Sequence, residues 1–106
     1  MKLTYYLLIS ILLLSGCASF SYRQRYLDSH PNITAEMKHN ITHRNVSIGM
    51  TKEQVIASIG SPWRINKSYH YGVQSEQWVY EAYLDDRTWY FYFEDGILVS
   101  YQFYGI

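Results

Sequence analysis

The sequence predicts a small α+β domain in which two short helices pack on one face of a three-stranded antiparallel sheet. Three observations carry that prediction. A segment from Thr51 to Ile59 has helical spacing, a polar cap at its start and a glycine stop at its end. From Gln77 to Phe103 the spacing changes to period two, and the repeating residues are aromatic. The helical segments also precede the strand segments without interleaving, which leaves no parallel crossover and no nucleotide-binding crevice.

The chain opens with Met1-Lys2, an apolar run from Leu3 to Leu14, and then Leu14-Ser15-Gly16-Cys17. A positive start, a short apolar core and small residues before a cut site describe a secretory signal peptide over 1–16. The run is short of the roughly 20 apolar residues that a membrane span needs. The tetrad ending at Cys17 resembles the lipobox of bacterial lipoproteins, in which the cysteine thiol is acylated and the chain is cut before it. That resemblance implies a palmitate-type lipid anchor on Cys17 and an outer-membrane location facing the periplasm. Cys17 is the only cysteine, so its acylation leaves no thiol for a disulfide, and the domain must hold by packing alone.

Residues 17–30 lack clear periodicity and read as the lipidated N-terminus and a tether, with Arg23 and Arg25 near the anchor. The domain proper is expected over 31–106. After His30-Pro31, Thr34 is placed to cap a helix from Ala35 to His43, with Ile33, Met37 and Ile41 as its apolar stripe. In the second helix Thr51 and Gln54 form a capping box and Met50 is positioned to staple onto Val55. Val55, Ile56 and Ile59 make its apolar face, and Gly60 with Pro62 ends it.

The strands follow. In Gln77 to Tyr83, alternation sets Trp78, Tyr80 and Ala82 inward and Gln77, Val79 and Glu81 outward. Asp85-Asp86-Arg87 reads as a turn. Thr88–Phe93 and Ile97–Phe103 flank Glu94-Asp95-Gly96, a hairpin signal. A two-residue Asp-Gly loop pairs Phe93 with Leu98 and puts Ser100 and Gln102 on that face. A three-residue loop with Gly96 as the bulge pairs Phe93 with Ile97 and gathers Trp89, Phe91, Phe93, Ile97, Val99, Tyr101 and Phe103 on one face. A one-residue slip sends that set to water, so the bulged loop is the expectation. Residues 63–75 read as a short extra strand or an ordered loop.

Composition narrows the function. Nine Lys plus Arg balance nine Asp plus Glu, which gives none of the basic surface that nucleic-acid binding requires. Four Asn-x-Ser/Thr triplets, starting at Asn32, Asn40, Asn45 and Asn66, carry no glycosylation meaning in a bacterial lipoprotein. Twelve tyrosines, three tryptophans and four phenylalanines supply a core and, where exposed, contact surface.

Ile48-Gly49-Met50-Thr51-Lys52-Glu53-Gln54-Val55, then Ile59-Gly60-Ser61-Pro62, Trp78-Val79-Tyr80 and Tyr92-Phe93-Glu94-Asp95-Gly96 together resemble the BamE/SmpA/OmlA-like small outer-membrane lipoproteins. The resemblance covers roughly residues 46–103. It implies a helix-helix-three-strand fold and an accessory, scaffolding role in outer-membrane protein assembly. The chain departs from the assembly-factor pattern around residues 63–76. Each residue of the Gly49–Val55 segment also has a folding role, so the segment that carries the resemblance need not be a binding site.

Chemistry-bearing residues form no catalytic set. Ser58, Ser61 and Ser100 lack a glycine elbow, and Asp85-Asp86 beside Arg87 reads as a solvated turn. His39 and His43 share a helical face with His30 upstream, but no cysteine or carboxylate is spaced to complete a metal site. No cofactor is expected, no enzyme is expected, and the domain reads as too small for both a core and a deep pocket. The candidate partner-binding residues are Trp63, Arg64, Tyr69 and Tyr71, with outward-facing Tyr90 and Tyr92, types enriched at interface hot spots. Trp63 and Tyr69 have a second reading, as covers over one end of the core. The expected function is a non-enzymatic, lipid-anchored envelope protein that docks on an outer-membrane or periplasmic protein. The alternative is a periplasmic ligand- or enzyme-binding module on the same scaffold, with inhibition as one form of its action.

Overall fold

The computed structural model describes residues 18–82 and 86–105. The expected signal peptide, Cys17, the Tyr83 end of the expected first strand and Asp85 of the expected turn lie outside that range. Helices α1 (Ala18–Ser29), α2 (Ala35–Thr42) and α3 (Lys52–Ile59) precede strands β1 (Arg64–His70), β2 (Val73–Glu81), β3 (Thr88–Glu94) and β4 (Ile97–Tyr104). The strands form an antiparallel meander in the order β1-β2-β3-β4. The α+β class is as expected, and the sheet has four strands where three were expected.

Local signals placed α2 and α3 accurately. The Thr34 hydroxyl accepts from the Met37 amide at 3.1 Å. At α3 the Gln54 amide donates to Thr51 Oγ1 at 3.2 Å while the Thr51 amide donates to Gln54 Oε1 at 3.0 Å, which completes the capping box. Met50 and Val55 are both fully buried in one cluster, as a staple requires. These contacts span three to five residues, so the sequence encodes them without reference to the rest of the fold.

The added strand, β1, is exposed along its whole length. It therefore shows no hydrophobic alternation, and it forms by pairing, from Arg64↔Val79 to His70↔Val73. Tyr71 and Gly72 connect it to β2 with φ of 52° and 80°. Positive φ at both central residues is the mark of a type I′ hairpin turn, whose twist matches that of the strands.

The β3–β4 hairpin corrects the expected register. Asp95 and Gly96, at φ 47° and 83°, make a two-residue turn, and Phe93 pairs with Leu98, not Ile97. The register then shifts, so that Tyr92 pairs with Ser100, Phe91 with Tyr101 and Trp89 with Phe103, leaving Val99 as the extra residue. A tight turn and a separate bulge thus bring Leu98, Tyr101 and Phe103 to the inner face. Leu98 is fully buried, whereas Ile97 and Val99 are exposed.

What forces this register is a strap formed by Gly49–Lys52. The Gly49 amide donates to the Leu98 carbonyl at 2.8 Å, Leu98 donates back to the Met50 carbonyl at 2.8 Å, and Lys52 donates to Gly96 at 3.3 Å. Thr51 bridges Ile97 in antiparallel sense. Gly49 sits at φ 97°, a conformation that a side chain would strain.

The core has two parts. Met50, Val55, Trp78, Phe91, Phe93 and Leu98 form the helix-on-sheet cluster, with Ile56, Ile59 and Tyr80 partly buried against it. Tyr26, Ile41 and Ala57 form a second cluster among the helices, and Met37 touches both. The expectation that two helices lie on the sheet is thereby refined, since α3 covers the sheet and α2 packs largely on α3. Residues 18–29, expected as a tether, form α1, and Tyr26 on it is buried. Arg23 fastens α1 by donating to the Ala57 and Ser58 carbonyls at 2.9 and 3.1 Å. Those carbonyls belong to the last turn of α3, which has no intrahelical donor for them. Val79, expected outward, is fully buried on the face opposite the helices, in register between Arg64 and Tyr90.

Candidate functional site

Helix α3 has eight residues, about 12 Å of length at 1.5 Å per residue. The strands beneath it run about 25 Å. The helix therefore covers one half of the inner face, where Phe93 and Leu98 lie. It leaves the half with Trp89, Tyr101 and Phe103 open, at 40%, 53% and 46% exposure.

That open half is a continuous aromatic array. Trp89 lies 4.3 Å from Phe103 between ring centroids, and Phe91 lies 6.2 Å from Tyr101 and 5.4 Å edge-on from Tyr80. A groove of about 520 Å³ runs over it, floored by Tyr80, Trp89, Phe91 and Tyr101 and walled by Val46 and Ile59. Arg44 and Asn45 stand at its rim, and among the described residues no carboxylate lines it. The Tyr80 hydroxyl donates to the Gly60 carbonyl at 2.8 Å, which locks the ring in the floor. Burial raises the pKa of that hydroxyl, so it stays protonated and the floor stays neutral. The groove is wide and open at the surface, not a deep enclosed pocket.

The candidate residues do not assemble into one site. Trp63, 76% exposed, heads β1 and donates its amide to Val79 at 2.8 Å. Tyr71 is fully exposed at the other end of that strand, about 26 Å away. Tyr69 points to the inner face, being in register two residues from Lys67, which pairs with Glu76, while Arg64 belongs to the outer face. Tyr90 and Tyr92 also lie on the outer face, where Tyr92 donates to Gln102 at 3.1 Å and Tyr90 meets Tyr104 edge-on at 5.6 Å. The 76% and 71% exposure of Trp63 and Tyr69 shows that neither covers the core. Sequence reasoning assigned Trp89, Tyr101 and Phe103 to the core because alternation reports the face and not how far along it the helices reach.

Other chemistry-bearing groups have structural partners. Ser58 is fully buried and its hydroxyl donates to the Asn45 carbonyl at 2.6 Å, which pins the loop before α3. His39 and His43 stack at 3.9 Å, and His30 stacks on Tyr26 at 4.0 Å, so the three do not converge.

The carboxylate of Glu76, 5% exposed, takes an ion pair from Lys52 and a hydrogen bond from Trp78 Nε1 at 3.3 Å. Burial alone raises its pKa. The bonds from Lys52 and Trp78 and the charges of Lys52 and Lys67 outweigh burial and hold it below its ordinary 4.5. A depressed folded-state pKa adds stability that is complete above the ordinary carboxylate range and is lost as pH falls through the folded value. Urea melts stepped from neutral to acid pH should therefore show wild type losing more stability than Glu76→Gln. Parallel losses in the two proteins would contradict this.

The fold and the groove define a class: a small α+β protein with a half-covered sheet whose open half is aromatic. No family model matches the chain, and no curated protein matches it. A solved structure that it resembles is a Streptococcus mutans protein provisionally named a beta-lactamase inhibitor protein, with a TM-score of 0.50 and 19% sequence identity. The likeness covers 69% of this chain and 44% of the other, so it shows a shared fold over less than half of that protein's length.

Proposed function

We propose that this protein is a lipid-anchored, non-enzymatic binding module that docks on another envelope protein through the open aromatic half of its sheet. The observation that carries the proposal is the exposure of Trp89, Tyr101 and Phe103 beside the groove, on the face that also forms the core. Contiguous exposed aromatic surface of this kind marks interaction sites on small soluble domains.

The lipobox resemblance at Cys17 supports attachment to the outer membrane on its periplasmic side. Cys17 directly precedes Ala18, where α1 begins, and α1 is fastened to α3 by Arg23. An anchor there attaches to the folded domain without a linker and limits the directions in which the groove points. The BamE/SmpA/OmlA-like resemblance makes a barrel-assembly subunit the favoured partner. The name of the Streptococcus mutans neighbour supplies the second reading, inhibition of a periplasmic enzyme.

Crosslinking in the native envelope followed by affinity capture tests the proposal. Trp89→Ala and Tyr101→Ala should each reduce recovery of the crosslinked partner about tenfold while shifting the thermal midpoint little. Recovery of barrel-assembly subunits favours the scaffold reading, and recovery of a soluble hydrolase favours the inhibitory one. Unchanged recovery in both variants would remove the aromatic face from the binding site.

A further inference from the structure

We infer that the outer edge of β4 from Ser100 to Tyr104 accepts an extended, acidic peptide segment of the partner as a fifth strand. Alternate apolar side chains of that segment fill the aromatic groove, and one carboxylate meets Arg44. The inference rests on the protein-binding reading above and names the mode of binding.

The edge of β4 already accepts a strand. Gly49–Lys52 pairs along its first part, through Leu98 in both directions. Among the described residues no backbone pairs with that edge beyond Leu98. The bulge at Val99 falls where the strap departs. The chain feeding the strap, Arg44–Val46, diverges from β4, and the groove lies between it and Tyr101. A segment continuing the line of the strap along Ser100–Tyr104 would thus run beside the groove and offer it every second side chain.

The two edges of the sheet differ in chemistry. Strand β1 carries Arg64 and Lys67, charges of the kind that keep an edge from pairing. Strand β4, Ile-Leu-Val-Ser-Tyr-Gln-Phe-Tyr, has no charge and no proline in eight residues. An edge without such guards is suited to pairing.

Charge selects among occupants. Arg44 is exposed at the rim with backbone φ 59°, and among the described residues no carboxylate lines the groove beside it. A second copy of this chain pairing β4 on β4 brings no carboxylate from that strand. An acyl chain with an acidic head fills an apolar groove and meets Arg44, but it cannot pair with a row of backbone amides and carbonyls. An acidic extended peptide satisfies all three features.

The test uses the full chain in detergent and a short synthetic peptide alternating valine and phenylalanine with threonine, with one glutamate. Binding is read by tryptophan fluorescence and by backbone hydrogen exchange. Saturable binding should slow exchange within Ser100–Tyr104. N-methylation of alternate peptide amides should weaken binding at least about tenfold, because it removes backbone donors and keeps the side chains. Exchanging the glutamate for lysine should weaken it about threefold, and Arg44→Glu should reverse that preference.

Equal binding of the N-methylated peptide, or no peptide binding at all, overturns the inference. So does decanoate occupying the groove without protecting Ser100–Tyr104. Protection that rises with protein concentration alone assigns the edge to a second copy. If any of these occurs while Trp89→Ala still reduces capture of the native partner, strand addition fails and the protein-binding reading stands.

Discussion

Trp78→Ala is expected to cost about 3–5 kcal/mol, the range for deleting a buried aromatic side chain. Trp78 is 2% exposed, packs on Phe93 with centroids 4.5 Å apart, and donates to the buried Glu76 carboxylate. The substitution opens a cavity beneath α3 and strips one partner from a buried charge, and the two effects add. Domains of this size have total stabilities toward the low end of about 5–15 kcal/mol, so a large unfolded fraction should follow. Urea denaturation of the full chain followed by circular dichroism measures the loss. Trp78→Phe should cost only about 1–2 kcal/mol, since it keeps a ring against Phe93 and loses the indole donor. An alanine variant within about 1 kcal/mol of wild type would show that the domain does not depend on this cluster.

Cys17→Ala is expected to abolish lipid attachment. One acyl chain gives only reversible membrane binding, at roughly 0.8 kcal/mol per buried methylene, and several chains on one residue make it stable. With the thiol gone, the protein should either leave the membrane fraction or accumulate as an uncut precursor. Labelling with radioactive palmitate, together with the mobility of the band, separates these outcomes. Labelling and cleavage that match wild type would refute the lipoprotein assignment.

These two residues mark different kinds of sequence information. The capping box at Thr51 and Gln54 and the staple from Met50 to Val55 act across a few neighbouring residues and were legible by type and spacing, whereas Glu94-Asp95-Gly96 marked a hairpin but not which of two loops closes it. Strand β1 was legible only as one of two readings of residues 63–75, because Arg64–His70 buries nothing and alternation reports burial. Helix α1 was not legible, because its order comes from Tyr26 in a cluster with Ile41 and Ala57 and from Arg23 on the end of α3.

The candidate site divides in the same way. Trp63, Arg64, Tyr69, Tyr71, Tyr90 and Tyr92 were chosen by residue type, and the structure spreads them over two faces and both ends of β1. Trp89, Tyr101 and Phe103 were recognised as sharing a face with the core, yet a half of that face is open. Whether an inward aromatic is buried depends on the length of the helix above it, which periodicity in the strand does not contain.

By itself the sequence determined the α+β class, two helices with their caps, the antiparallel run of aromatic strands and the lipobox resemblance, because these rest on local geometry and short motifs. Only the tertiary structure decided the register of β4, the docking of α1 and the open aromatic groove. Each of those follows from how surfaces distant in sequence meet: the Gly49–Lys52 strap selects Leu98 for burial, and a helix of about 12 Å covers half of a sheet about 25 Å long.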